Sequence, residues 1–280
     1  MLAPIIIFAY NRPEHLRKTL DYLVENYLYR KSNIYVFVDR HPDGHLTASP
    51  ALKNADNVIY RDVHYGLSEN IIEGVTEVIN KYGKAIIVED DLITSPYFLT
   101  YMNNCLDAFE NRKYIMSISG YCPPINIKSK DSIFLSHRPG SWGWATWQDR
   151  WENFIPNYTH IDREFKKHFN QGGNDLSITY RKAASGLIDS WLIRWAFSHA
   201  LYQKYAIYPV KSLVKNIGLD GSGEHCRNKR VHKFDVDINE KFNPVINKEV
   251  ERNHSILKEF KKLHDLNKLR YLRQLIRLWN

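Results

Sequence analysis

Three consecutive carboxylates, Glu89-Asp90-Asp91, follow directly on the apolar run Ala85-Ile86-Ile87-Val88. The run reads as a buried strand, and buried strands do not ordinarily end in clustered acids. Acids so crowded repel one another and are costly to hold beside a sheet unless a metal ion or an arginine neutralises them. Carboxylate oxygen suits Mg²⁺ or Mn²⁺. The competing reading is a solvated loop whose acids favour the start of a helix near Ser95-Pro96.

The elements that must position these acids can be read from periodicity. Pro4 to Ala9 is a continuous apolar run, Asn11-Arg12-Pro13-Glu14 has a cap residue and an early proline, and Leu16, Leu20, Leu23 and Val24 recur at helical spacing. A second strand, Ile34 to Val38, ends at Asp39, and a Pro/Gly-containing loop follows from His41 to Pro50. A helix is expected over Leu67 to Lys81 before the strand that ends in the acids, another beyond Pro96, and a strand from Ile115 to Ser119. Alternating strands and helices predict an α/β fold with a mostly parallel sheet, whose ligands lie off the carboxyl ends of the strands. Three polar strand ends should therefore converge: Tyr10-Asn11-Arg12, Asp39-Arg40 and Glu89-Asp90-Asp91.

Composition narrows the partners. With 280 residues, 44% of them hydrophobic and 25% charged, the chain has core enough for one large domain, and one domain plus a tail is expected. A formal net charge of +8 points to anionic partners: nucleic acid, nucleotide phosphates or a lipid surface. The cations lie largely in the tail and not in an aromatic-interleaved patch, which argues against nucleic acid. No apolar stretch approaches the ~20 residues that span a bilayer. The N-terminus lacks the regions of a signal peptide, so a cytoplasmic location is expected. Cys105, Cys122 and Cys226 have no paired short spacing, so neither a disulfide framework nor a zinc knuckle is indicated. There is no Gly-x-Gly-x-x-Gly after the first strand and no Gly-x-x-x-x-Gly-Lys-Ser/Thr, which removes the main support for dinucleotide and P-loop sites.

The segments Pro4-Ile-Ile-Ile-Phe-Ala-Tyr-Asn-Arg-Pro13, Val38-Asp39, His64-Tyr65-Gly66-Leu67, Val88-Glu-Asp-Asp-Leu92 and Arg138-Pro-Gly-Ser-Trp-Gly-Trp144 occur in this order. Together they resemble GT-A glycosyltransferases related to glycosyltransferase family 2. The likeness is greatest to the subgroup with Glu-Asp-Asp in place of Asp-x-Asp, as in N-acetylglucosaminyltransferase I, and covers roughly the first two-thirds of the chain. It implies a Rossmann-like nucleotide-binding fold over residues 1–245, with a nucleotide-sugar half at 1–120 and an acceptor half at 121–245. It also implies transfer of a sugar from a nucleotide diphosphate, with UDP favoured, to a hydroxyl of a glycan or lipid-linked glycan, assisted by Mn²⁺ or Mg²⁺. Ala9, Tyr10, Asn11, Arg12, Asp39, His64, Glu89 and Asp90 would then contact the donor, and Asp91 would bind the metal.

The metal has a physical reason beside the resemblance. Cleaving the bond from the anomeric carbon to the diphosphate leaves negative charge on the leaving group, which a bound cation stabilises by several kcal/mol. One carboxylate suffices as tether, because diphosphate oxygens and water can fill the other positions. Arg61 and His64 are candidates to add positive charge there, or else form an exposed basic loop. If the reaction inverts the anomeric centre, a base must take the acceptor proton. Asp189 matches the family's second acidic motif, although an acidic pair is usual there and this chain carries Asp189-Ser190. A simple helix cap is the alternative for Asp189, and Asp220 and Glu224 are rivals for the base. Trp142, Gly143 and Trp144 combine small residues with indole faces suited to a sugar wall, while Trp147 and Trp151 are equally readable as helix packing. The loop Asn216 to Cys226 is suited to folding over phosphates, and His225 could contact the diphosphate or complete the metal shell.

From Ile256 onward, leucines and aromatics recur every three to four residues among lysines and arginines, which predicts one basic amphipathic helix in a tail over 246–280. It would either lie on an anionic membrane through 256–280 as a peripheral anchor or pack on protein. Two other classes compete with a transferase. A nucleotidyltransferase should show a Gly-rich loop after the first strand, which Tyr10-Asn11-Arg12-Pro13 does not supply. A non-catalytic glycan-binding protein would explain the tryptophans but not an acid triplet at a strand end.

Overall fold

Ile5–Ala9 forms strand β1, whose five residues are all buried. Its side chains pack alternately on the two faces of a sheet, and for that reason the sequence is continuously apolar and does not alternate. The computed structural model describes residues 1–44, 52–53, 55–220, 233–238 and 240–276. After β1 come helix α1 (Pro13–Val24), β2 (Ile34–Val38), β3 (Asn57–Tyr60), α2 (Gly66–Tyr82), β4 (Lys84–Glu89), β5 (Leu92–Thr94), α3 (Phe98–Ala108) and β6 (Ile115–Ser119). The second half contains β7 (Ile133–Ser136), β8 (Trp144–Trp147), α4 (Gln148–Trp151), α5 (Arg163–Phe169), α6 (Asp175–Ala184), α7 (Trp191–Leu201), β9 (Tyr205–Pro209), β10 (Val214–Asn216), α8 (His254–His264) and α9 (Lys268–Ile276).

The sheet order is β3-β2-β1-β4-β8-β6-β9-β7. β3, β2, β1 and β4 run parallel, while β8 is antiparallel to both β4 and β6. β9 is parallel to β6, and β7 closes the sheet antiparallel to β9. This is a mixed α/β architecture with a Rossmann-like first half. The chain leaves β1 toward β2 and β3, then returns to place β4 on the other side of β1. Such a reversal opens a crevice between the carboxyl ends of β1 and β4, where doubly wound sheets bind ligands. Tyr10-Asn11-Arg12 and Glu89-Asp90-Asp91 follow those two strand ends.

Both faces are covered. Ile5, Ile7 and Ala9 pack with Leu16 and Leu20 of α1 and with Leu99 and Met102 of α3. Ile6 and Phe8 pack on the opposite face with Ile71, Val75 and Val78 of α2 and with Trp191 and Trp195 of α7. Cys105 and Cys122 are buried and unbridged.

The predicted single C-terminal helix is two helices. α8 ends at Asp265, whose backbone is extended, because Asn174 captures the chain there. The Asn174 backbone N–H donates to Asp265 Oδ1 at 2.8 Å, and its side chain bonds both the N–H and the carbonyl of Leu266. Ile256 and Phe260 of α8 are buried with Phe134 and Tyr208, so this part of the apolar stripe faces protein. In α9, Leu269 and Leu272 are exposed. No described helix is long and apolar enough to cross a membrane.

Candidate active site

In the crevice between β1 and β4, Arg12 spans two of the three acids. Its Nη2 pairs with Asp90 Oδ1, and its Nη1 donates to Asp91 Oδ2 at 2.9 Å. The Tyr10 N–H donates to Asp90 Oδ2 at 3.3 Å, and Thr19 Oγ1 of α1 donates to the Asp90 carbonyl at 2.8 Å. Arg12 keeps 21% of its side chain exposed while Asp90 keeps 3%, so the burden of burial falls on the acid. Burial pushes the Asp90 carboxyl up to about 6, outweighing the pull of Arg12. Burial opposes the Arg12 charge as well, but Asp90 and Asp91 overcome it and hold the guanidinium more firmly protonated than usual. Glu89 closes β4. Part of its surface reaches solvent, yet the surrounding protein, then the charges of Asp91 and Asp90, push its carboxyl up to about 8 against the pull of Arg12.

Asp91 is held by the turn after β10. β10 pairs antiparallel with β5, and the Ile217 N–H donates to the Asp91 carbonyl at 2.8 Å. Asn216 Nδ2 lies 3.5 Å from Asp91 Oδ1, and Asn216 Oδ1 accepts from the Gly218 N–H at 2.8 Å. A Cβ at position 218 would stand 2.2 Å from Asp91 Oδ2 and 2.9 Å from Arg12 Nη1, so only glycine leaves this carboxylate oxygen open on that side. Among the described residues, no three or more His, Cys, Asp or Glu side chains gather into a metal cage. A hard carboxylate oxygen beside a glycine-sized gap does fit a Mg²⁺ or Mn²⁺ ion that takes its other positions from phosphate and water. Arg12 supplies the positive charge at that point in this structure. His225 and Glu224 lie outside the described residues.

Asp39 lies beyond β2 and is buried. It accepts from the N–H groups of Tyr65 and Gly66 at 2.8 and 2.9 Å, and so holds the start of α2. His64 Nδ1 lies 3.0 Å from Asp39 Oδ2 and 2.8 Å from the Arg40 carbonyl. Tyr10 stacks on His41 at 5.7 Å and tilts against His64 at 5.3 Å, making an aromatic bay beside Asp39 that the sequence did not indicate for His41. Asn11 is exposed at the mouth, whereas Ala9 turns its methyl into the core and its carbonyl accepts the Asp39 N–H at 2.9 Å. Arg61 is not part of an exposed loop. It is buried, donates to Asn70 Oδ1 at 2.9 Å and lies over the Phe37 and Tyr65 rings, so it braces the start of α2.

The same helix start receives Asp189. Its Oδ2 accepts from the Ser68 N–H at 3.2 Å, and Arg194 Nη2 stands 3.9 Å from its Oδ1. Ser190, and not Asp189, caps α7 by accepting from the Ile193 N–H. Asp189 therefore does not cap α7, although one of its oxygens serves the first turn of α2, and it keeps 60% of its side chain exposed at the carboxyl edge of the sheet. Asp220 stands 3.3 Å from His15 Nε2, over α1.

The expected tryptophan wall is mostly buried. Trp144 lies in β8 with no exposed surface, stacked on Trp191 at 5.0 Å and packed with Trp151 and Trp195, so its indole has no face for a sugar. Gly143 is required by the fold: its φ is +62°, and a Cβ there would come within 2.9 Å of Val214 and 3.0 Å of Phe98. Trp142 alone of the three remains partly exposed, edge-on to Tyr121 at 4.6 Å. Trp147 and Trp151 are core residues.

No family model matches the chain, and no curated protein matches it in sequence. Solved structures with some similarity include a crystal structure of S. aureus TarS, at 11% identity and a TM-score of 0.33 over 48% of this chain and 24% of that one. A crystal structure of S. aureus TarS 1-349 aligns at 9% identity and a TM-score of 0.39 over 78% of this chain and 61% of that one. The chain thus spans less than two-thirds of the length of either.

Proposed function

We propose that this chain is a glycosyltransferase of GT-A type that moves a sugar from a nucleoside diphosphate, with UDP favoured, to a hydroxyl of a glycan or lipid-linked glycan. The observation that carries this reading is the meeting of Arg12, Asp90 and Asp91 in the β1/β4 crevice, with Asp39, Tyr10 and His64 beside them on the same sheet edge. The motif resemblance points to the same residues. In this reading the base stacks in the bay of Tyr10, His41 and His64, and Asp90 and Glu89 meet ribose or donor sugar. Asp91 would hold a Mn²⁺ or Mg²⁺ ion. Bound there, the ion would offset charge developing on the departing diphosphate.

The chain's own groups do the rest. Arg12 keeps the acids paired while no donor is present and is itself a donor for phosphate oxygens once it leaves them. Asp189, held by the start of α2 and open to solvent, takes the proton of the acceptor hydroxyl as its oxygen bonds to the anomeric carbon on the face opposite the diphosphate, whose bond to that carbon breaks. Such a direct displacement inverts the centre. Trp142 offers the one partly open indole of the wall to acceptor or sugar. The test is nucleotide release from a panel of nucleotide sugars, followed by anomeric NMR of the product. Asp189→Asn is expected to lower turnover about 100-fold or more while nucleotide affinity stays within about twofold. Unchanged turnover would place the base elsewhere, with Asp220 next. Failure of every nucleotide sugar and of every nucleoside diphosphate would remove the transferase reading itself.

A further inference from the structure

A second charged site lies at the opposite edge of the sheet. β9 runs parallel to β6, and both oppose β8, which itself opposes β4; β9 therefore runs in the direction of β4. Tyr205 opens β9 and Glu89 ends β4, so the two residues occupy opposite edges. At the Tyr205 end is a cavity of about 490 Å³ lined by His137, His168, Arg252, His254, Lys258 and Lys261, together with Gln171, Gln203 and Leu257, with no carboxylate among the described lining residues. His254, Leu257, Lys258 and Lys261 follow one another at helical spacing along one face of α8. An adjoining cavity shares Tyr205, Arg252 and His254 and also includes Glu251.

The cations differ in how they are satisfied. Lys261 is paired with Asp265 at 2.5 Å. Among the described residues, Arg252 bonds the Tyr205 hydroxyl, 3.4 Å from its Nη1. Neither Arg252 nor Lys258 has a carboxylate within ion-pair reach among the described residues. His137 is half-buried at the cavity wall, tilted on Tyr205 at 4.8 Å and edge-on to His168 at 6.4 Å. Burial above all, with smaller contributions from the neighbouring His168 and Arg252, lowers its imidazole to about 4. The His137 imidazole, kept neutral by its burial, and the two glutamine amides can donate hydrogen bonds to an oxyanion without adding charge that must itself be neutralised.

We propose that this cavity binds a phosphate or diphosphate group of a small phosphorylated molecule, through Arg252 and Lys258 with hydrogen bonds from the histidines. Concavity favours a small molecule over a membrane surface, because the volume lies in the range of ordinary ligand pockets. The proposal does not depend on the donor reading, since none of these residues belongs to the β1/β4 crevice.

The test is calorimetry with inorganic pyrophosphate in EDTA, on the full chain, on Arg252→Gln/Lys258→Gln and on Asp91→Asn. Wild type and Asp91→Asn are expected to bind alike, and the double variant at least about tenfold more weakly. Both positions of the double variant are exposed, so its melting temperature serves as the folding control. Proton NMR adds an independent readout: saturating pyrophosphate should raise the His137 titration above its free value of about 4. The groups facing that ring are His168, Tyr205 and Arg252, with His254, Lys258 and Lys261 across the cavity. Equal binding by the double variant, loss of binding in Asp91→Asn alone, or no binding by wild type would each overturn the proposal.

Discussion

The two edges of the sheet handle charge in opposite ways. At the carboxyl ends of β1 and β4, Asp90 and Asp91 are deeply placed and Arg12 from the same chain already answers them. At the other edge, Arg252 and Lys258 line a concavity with no carboxylate among its described lining residues, the nearest being Glu251 in the adjoining cavity. A buried charge without a partner is strongly unfavourable, so ionised acids here need Arg12 or a substitute cation, and otherwise take up protons. Exposed cations carry no such penalty and can be left unpaired. The first edge is thus suited to exchange one cation for another, and the second to accept an anion. A net charge of +8, averaged over the chain, conceals this division.

The largest effect that could break the comparison is at Asp91. If this carboxylate tethers a cation, Asp91→Asn should lower turnover about 10³-fold, and added Mn²⁺ should not restore it. A loss below about tenfold would reduce the acid edge to a structural ion pair. Next is the contrast between the arginines. Arg12→Ala leaves two acids facing each other and should destabilise the protein by about 2 kcal/mol in EDTA, less when Mn²⁺ is added. Arg252→Gln, which removes no ion pair among the described residues, should change stability by less than about 0.5 kcal/mol. Similar losses in urea unfolding would erase the distinction between the edges.

A smaller effect concerns Glu89 and pH. Its folded carboxyl is raised to about 8 from an ordinary value of 4.5, so the native state binds the extra proton between those values. Its contribution to stability is therefore lost as pH rises from about 4.5 to about 8, and is constant above. Glu89→Gln escapes this loss. In EDTA it should melt about 2–4 °C above wild type at pH 8.5 and within error of it at pH 5. A gain of the same size at both pH values would contradict the assigned burial.

Much of the first half was legible because its signals are local. β2, β6 and α2 fall where apolar runs and helical spacing put them, and the three polar strand ends do converge on one edge. Arg12 was legible only in kind: the acids demanded a cation, but which cation depends on the side-by-side placement of β1 and β4, a long-range pairing that no window of sequence contains. The tryptophans mark the opposite case. Glycine neighbours made Trp144 look open, yet β8 enters the sheet between β4 and β6 and places that indole against Trp191 and Trp195. Gly143 was small to admit Phe98 and Val214, not a ligand. The C-terminal periodicity was real but did not reveal its interruption, because the break is made by Asn174, some ninety residues earlier in the chain. The cationic cavity was invisible for the same reason, since His137, His168, Tyr205 and α8 come from four separate stretches.

The measurement that bears most directly on the central claim is calorimetry of the intact protein with UDP, GDP, CDP, ADP and dTDP, with Mn²⁺ and again in EDTA. At least one nucleoside diphosphate, UDP first, should bind with Mn²⁺ and weaken about tenfold or more in EDTA, with Asp91→Asn matching the EDTA result. If none of the five binds in the presence of Mn²⁺, the crevice between β1 and β4 is not a nucleotide-sugar site.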